Sequence, residues 1–233
     1  MNSLAPYEWL LSIETSTNVC SVALHYQGRL IAFSELHQEK MHSSRLTLLI
    51  EELLNHCQLS ITELSAVAIS AGPGSYTGLR IGVSTAKGIC FGLNIPLLAV
   101  DSLHAFSYGV AQQSIVPEQV LLCPCVDARR MEIYRAVWQA EGKCLLTSEP
   151  HVLQPSSFAE FSQYTLWLFG SGAEKTYATI EHPRKYLLPH LTPSARFVGE
   201  VALAHPHLVD LAYFEPYYVK PVYTTVPKKP ANG

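Results

Sequence analysis

The segment AGPGSYTGLRIGVSTAKG, residues 71–88, carries five glycines and a lysine, residue types that can cradle a phosphate with backbone N–H groups and a cation. Its spacing tests that chemistry. A Walker loop needs Gly, four residues, then Gly-Lys-Ser/Thr. Here Lys87 stands between Ala86 and Gly88, and Gly72-Pro73-Gly74 does not continue into G-x-G-x-x-G. What recurs is a small residue at every fourth position, Gly74, Gly78, Gly82 and Ala86. On a helix these form one smooth stripe beside Tyr76, Leu79, Val83 and Cys90. Two glycines inside a helix cost about 2 kcal/mol relative to alanine, a cost offset where another backbone packs close. The sequence leaves open whether that backbone is internal or a partner's. Gly72-Pro73-Gly74 reads as the turn that launches the helix, with Ser75 as N-cap. If the stripe faces a partner, Gly78→Leu or Gly82→Leu abolishes binding more than it lowers the melting temperature. Outright unfolding marks a stripe packed inside its own lobe. The six cysteines (20, 57, 90, 123, 125 and 144) form no Cys-x-x-Cys pair, and Cys123-Pro-Cys125 lacks a second pair to complete a zinc site. They read as buried thiols in a reducing compartment.

The elements that must position these residues follow from composition and period. With 233 residues, 48% apolar and 15% charged, the chain suits one large or two small globular domains. A net charge of −3 gives no electrostatic footprint for gripping nucleic acid unaided. MNSLAPYEWLL lacks a basic stretch and is interrupted by Glu8, unlike a signal peptide. The apolar stretch 88–100 contains Pro96 and is too short to span a bilayer. A soluble, cytoplasmic chain without membrane contact is expected.

Strands are expected at 9–16, 19–26 and 29–36, a helix at about 42–57, a buried strand at 65–70, the glycine helix to about 91, a strand at 97–100 and a helix at 102–113. The order then repeats, with strands at 118–128, 131–139 and 144–153, a helix at 156–163, a strand at 165–170 and a helical stretch at 172–180. A last helix at 193–205 starts at Thr192 or Ser194. Each copy's first strand ends on an acid before a hairpin, Glu14 in one and Asp127 in the other. This predicts an α/β fold of two duplicated lobes, each a mixed sheet with flanking helices. The N-terminal lobe is expected over 1–101, the C-terminal lobe over 102–222 with its first helix crossing back, and a mobile tail over 223–233.

That duplication resembles the actin, sugar-kinase and heat-shock-chaperone superfamily, in which two lobes clamp a nucleotide between such hairpins. The resemblance makes Glu14, Thr15, Ser16 and Thr17 candidates for one nucleotide-side loop, Asp127 for the opposite one, and Gly170 and Gly172 of FGSGA for an adenosine-side turn. The plainer account is that these polar residues and glycines satisfy their own turns. Likewise, Asp127, Arg129, Arg130 and Glu132 read as an exposed hairpin with local ion pairs, or as one whose two arginines meet nucleic-acid phosphates inside a complex.

SIETSTNVCSVAL, HSSRLTLLIEELL, ISAGPGSYTGLRIGVSTAKGI, AVDSLHAFS, VDARRMEIY and FGSGA occur in that order. Together they resemble the bacterial TsaB family of tRNA threonylcarbamoyladenosine biosynthesis proteins, over about residues 9–219. The resemblance implies a non-catalytic scaffold that pairs with a larger catalytic relative, TsaD, which transfers threonylcarbamoyl to adenosine 37 of tRNAs reading codons that start with A. An ATPase, TsaE, joins the complex, tRNA is reached only through it, and family members form homodimers through much the same surface. That surface is a helical bundle, which here points to His42, Arg45, Leu49, Leu53, Tyr76, Gly78, Leu79, Gly82, Val83 and Ala86. No cofactor is expected to bind tightly, with a nucleotide at the partner boundary left open.

The catalytic relative holds its metal through His-x-x-x-His on its first helix. Here His42 is followed by Leu46 at the second position, so no metal site is expected and His42 reads as a buried or interface histidine. Glu14 replaces the aspartate most members carry, which makes a finely placed metal–nucleotide site less fitting. The alternatives are an independent ATPase or small-molecule kinase resting on the two hairpin acids, and, more weakly, a metallopeptidase.

Overall fold

A computed structural model describes residues 7–37 and 42–218, and of His42 and Ser43 the backbone only. The first repeat runs β1 (Trp9–Glu14), β2 (Cys20–Tyr26), β3 (Arg29–Leu36), α1 (His42–His56), β4 (Ala66–Gly72), α2 (Tyr76–Leu93) and β5 (Leu97–Asp101). Helix α3 (Ser102–Gln113) leads to the second, β6 (Val120–Asp127), β7 (Glu132–Gln139), β8 (Cys144–Val152), β9 (Thr165–Phe169), α4 (Ala173–Thr179) and β10 (Lys185–Leu188), followed by α5 (Ala195–Ala204).

The two five-stranded sheets have one topology, β3-β2-β1-β4-β5 and β8-β7-β6-β9-β10. In each the first three strands pair antiparallel, and the first pairs parallel with the fourth, which pairs parallel with the fifth. The expected duplicated, two-lobed actin-like architecture is therefore the observed one. Its reason is local. The strands β1, β4 and β6 are almost wholly buried, as strands between two helical layers must be, whereas β3 and β8 at the edges alternate or lie half exposed.

Leu11, Ile13, Val67 and Ile69 pack beneath Leu46, Leu49, Leu53, Val83 and Ala86 of α1 and α2. Leu10, Ala66, Ala68 and Leu98 turn to the other face, against Ala105 of α3 and Val198, Val201 and Ala202 of α5. Helix α3 bridges the lobes, since its Phe106 and Val110 pack with Leu122 and Phe169 of the second sheet. Helix α5, grouped with the second lobe by sequence order, packs instead on the first sheet. The chain then continues along β5, with Ala99 N–H donating to His207 and Val209 N–H to Leu97.

Two further expectations change. Residues 156–163 form only a 3-10 turn, Ala159–Phe161, because Phe158 takes a left-handed conformation at φ 66° and inserts its fully buried ring under the Arg135 guanidinium. The edge strand β10 was not expected at all. The N-cap of α5 is Ser194, whose hydroxyl accepts from Arg196 N–H. Among the described residues no helix is long and apolar enough to cross a membrane. The expected tail 223–233 lies outside the described residues.

Candidate functional site

Glu14, Thr15 and Ser16 form the β1–β2 hairpin, and each has 1% or less of its surface exposed. A Glu14 carboxylate oxygen accepts Ser16 N–H at 2.5 Å, and burial pushes the carboxyl above its ordinary range. Residues 74–82 cover this hairpin. Ser75 N–H donates to the Ser16 carbonyl at 2.6 Å, and a Cβ at Gly74 would fall on that same carbonyl. A Cβ at Gly82 would fall on the Thr15 hydroxyl. The first lobe's candidate phosphate loop is thus filled by the protein's own helix.

The second hairpin is closed differently. Asp127 pairs with Lys175 of α4, whose ammonium also donates to the carbonyls of Arg130 and Glu132 at 2.9 and 2.6 Å. Asp127 accepts Arg129 N–H and donates its own N–H to the Ser171 hydroxyl, both at 3.0 Å. Gly170 has φ 98°, and a Cβ there would lie 2.7 Å from the Cys125 carbonyl. Gly172 N–H donates to that carbonyl. The plainer account fits the second hairpin and FGSGA, whose polar groups and glycines serve their own turns; in the first hairpin one Glu14 oxygen does so, while Glu14 Oε2 and the Thr15 hydroxyl are buried with no hydrogen-bond partner. Arg129 and Arg130 are exposed at the tip.

Between the sheets, Asp101 caps α3 by accepting the N–H groups of Leu103 and His104, each at 2.9 Å, and accepts the Ser148 hydroxyl of the second lobe at 2.8 Å. His104 stacks on Trp138 with 4.1 Å between ring centroids, and burial, with His205 nearby, lowers its pKa to about 4. All six cysteines are free thiols, and burial holds Cys20 near 11 and Cys90 and Cys125 near 12. Among the described residues no three His, Cys, Asp or Glu side chains gather as a metal site.

The expected interface set divides. Leu49, Leu53, Gly78, Leu79, Gly82, Val83 and Ala86 are buried in their own lobe, so the stripe 74–78–82–86 does not open a path for another molecule; at Gly82 the space is taken by Thr15. Arg45 and Tyr76 face outward, and the His42 side chain lies outside the described residues. The outward face of the pair is a different set. It carries Leu48 at 41% and Phe91 at 82% exposure, with Ser84 and Gly88 exposed between them in α2. Nothing lies within 4 Å of a Cβ built at Gly88 or Gly92. The signal was present in the same helix: Ser84, Gly88 and Gly92 also recur every fourth residue, on its opposite side. Lys87, too, has a structural place, donating to the carbonyls of Ala212 and Phe214 at 3.3 and 3.0 Å.

Comparison with known proteins adds a family. The model described as TsaD, tRNA N6-adenosine threonylcarbamoyltransferase, matches residues 34–216. Curated relatives include the tRNA threonylcarbamoyladenosine biosynthesis protein TsaB of Haemophilus influenzae, 35% identical over 54% of this chain and 51% of its own length. TsaB of Escherichia coli is 33% identical over 57% of this chain and 55% of its own. The match spans about half the length of these relatives. The solved structure of YeaZ from Pseudomonas aeruginosa is 28% identical with a TM-score of 0.77, covering 91% of this chain and 99% of that one.

Proposed function

The chain belongs to the tRNA N6-adenosine threonylcarbamoyltransferase (TsaD) family, on its TsaB side, and from that premise we propose that it is a non-catalytic subunit of the assembly that forms threonylcarbamoyladenosine at position 37 of tRNA. One observation carries the non-catalytic half of this reading: Glu14, Thr15 and Ser16 have no surface to offer a phosphate, because α2 and the turn before it occupy that space. Such a chain supports a TsaD-type catalytic subunit, recruits a TsaE-type ATPase, and meets tRNA only within the complex, in the cytoplasm. Any nucleotide lodges at the partner boundary and not in the chain's own hairpins.

The pairing surface is the outward face of α1 and α2, centred on Leu48, Ser84, Gly88 and Phe91, and it also serves the homodimer of the isolated chain. Small residues beside an exposed aromatic let a second helix approach while Phe91 fills a partner pocket, the arrangement in which aromatic anchors dominate binding. Co-purification tests this. Phe91→Asp and Gly88→Leu are expected to weaken pairing with a TsaD-type subunit at least tenfold, with melting temperature held within a few degrees. Wild-type pairing by both variants overturns the assignment of the face.

A further inference from the structure

The helices that leave two neighbouring strands of the first sheet go to opposite faces. Strands β4 and β5 pair parallel. Helix α2, which follows β4, shares a core with Ile13 and Val67 through Val83 and Ala86. Helix α3, which follows β5, packs its Ala105 with Ala68 and Leu98 on the other face. In an open α/β sheet such a reversal leaves a crevice beyond the carboxyl ends of the two strands, where ligands bind. A cavity of about 400 Å³ lies there, with Gly72 at the end of β4 and Asp101 at the end of β5 in its lining. That volume suits a small molecule, and the lining shares no residue with the pairing face proposed above.

His104 of α3 and Val201 of α5 wall the cavity on one side, and Phe214, Glu215 and Tyr217 of the segment after α5 on another. That segment is fixed to the sheet, since Leu208 bridges to Leu98 and Tyr217 N–H donates to the Ala71 carbonyl at 2.7 Å. Asp101 is engaged through one oxygen. Leu103 N–H, His104 N–H and the Ser148 hydroxyl all donate to Oδ1, and none of these three bonds reaches Oδ2. Glu215 adds a second carboxylate at the exposed rim, where His205 and His207 also stand. His104, stacked on Trp138, is uncharged at neutral pH because burial lowers its pKa to about 4. Neither lysine nor arginine is in the lining; Lys87 meets the segment from α2, at the carbonyls of Ala212 and Phe214.

We propose that this cavity binds a small organic cation, a primary ammonium on an apolar body. The ammonium donates to Asp101 Oδ2, and the body lies against Val100, Val201 and Phe214. A carboxylate drawn out of water favours a partner that both neutralises it and donates to its second oxygen. Aromatic walls such as Phe214 and Tyr217 favour a cation over an anion of the same shape.

Heteronuclear NMR of the full-length chain at neutral pH tests this with 2-phenylethylammonium, butylammonium and cyclohexylammonium, each beside the alcohol and the carboxylate built on the same body. At least one ammonium is expected to shift the amides of Gly72, Asp101 and Ser102 and the His104 ring signals saturably. Its alcohol should bind at least about tenfold more weakly, and its carboxylate should leave these signals unmoved. Asp101→Asn keeps the shape of the side chain and an acceptor for the α3 cap, and is expected to weaken ammonium binding at least about tenfold. Tyr217→Ala leaves the backbone bond to Ala71 in place and should weaken binding about threefold; it carries the test if Asp101→Asn does not fold. No saturable shift with any of the three ammonium ions, shifts centred outside the cavity, equal affinity for an ammonium and its alcohol or carboxylate, or unchanged affinity in either variant overturns the proposal.

Discussion

Two glycines of α2 experience opposite surroundings, and replacing each by alanine separates packing from helix propensity. Both substitutions gain the same intrinsic helix preference, about 1 kcal/mol. At Gly88 nothing lies within 4 Å of the new methyl group, so Gly88→Ala is expected to stabilise the protein by up to about 1 kcal/mol. At Gly82 the methyl group falls on the Thr15 hydroxyl and lies 3.2 Å from Ile69 Cδ1. The hairpin cannot retreat, because Ser75 N–H holds the Ser16 carbonyl at 2.6 Å. Overpacking of this kind costs about 1–3 kcal/mol, so against the propensity gain Gly82→Ala yields no net stabilisation and a loss of up to about 2 kcal/mol. The Thr15 hydroxyl is buried with no hydrogen-bond partner, and its removal leaves only Cβ, 3.3 Å from the new methyl group. Thr15→Ala should therefore relieve Gly82→Ala, with a coupling of at least about 1 kcal/mol. Urea unfolding of the two singles and the double measures it. Additive effects, or stabilisation by Gly82→Ala as large as by Gly88→Ala, would refute the claim that α2 seals the hairpin.

Two further outcomes follow from buried groups. His25, 1% exposed, has its pKa lowered by burial from 6.5 to about 4. The unfolded chain therefore takes up a proton near pH 6.5 that the folded chain refuses until about pH 4. Stability is full above 6.5 and falls as pH drops to about 4, by at most about 3 kcal/mol from this residue; chemical unfolding across pH 4–7.5 should show a shallower fall in His25→Leu. Asp101→Ala removes the cap of α3 and the link to Ser148, and is expected to cost about 2 kcal/mol in urea unfolding. Asp101→Asn, which can still accept those bonds, should cost less than half as much.

Much of this architecture was legible because it rests on local period. The succession of strands, the long apolar face of α1, the Ser75 cap and the start of α5 at Thr192 or Ser194 all lie within short windows of sequence. The acids Glu14 and Asp127 marked the duplication for the same reason. What was not legible depends on what lies opposite. The spacing of Gly74, Gly78 and Gly82 announces a close approach without saying to what, and only the fold brings Ser16 and Thr15 there. Helix α5 follows the second repeat in sequence but finds its apolar partners on the first sheet. The strand β10 has four residues and pairs on one side only, too little for period to register. The turn at Phe158 shows tertiary packing overriding helix-favouring residues.

On the proposed function, this chain contributes a surface and no chemistry of its own. Reconstituted threonylcarbamoyl transfer to tRNA by a TsaD-type subunit and a TsaE-type ATPase, with and without this chain, tests it most directly. Product is expected with the wild-type chain, strongly reduced product with Phe91→Asp, and undiminished product with Asp127→Ala. Equal product without the chain, or product lost with Asp127→Ala while the complex still assembles, would contradict it.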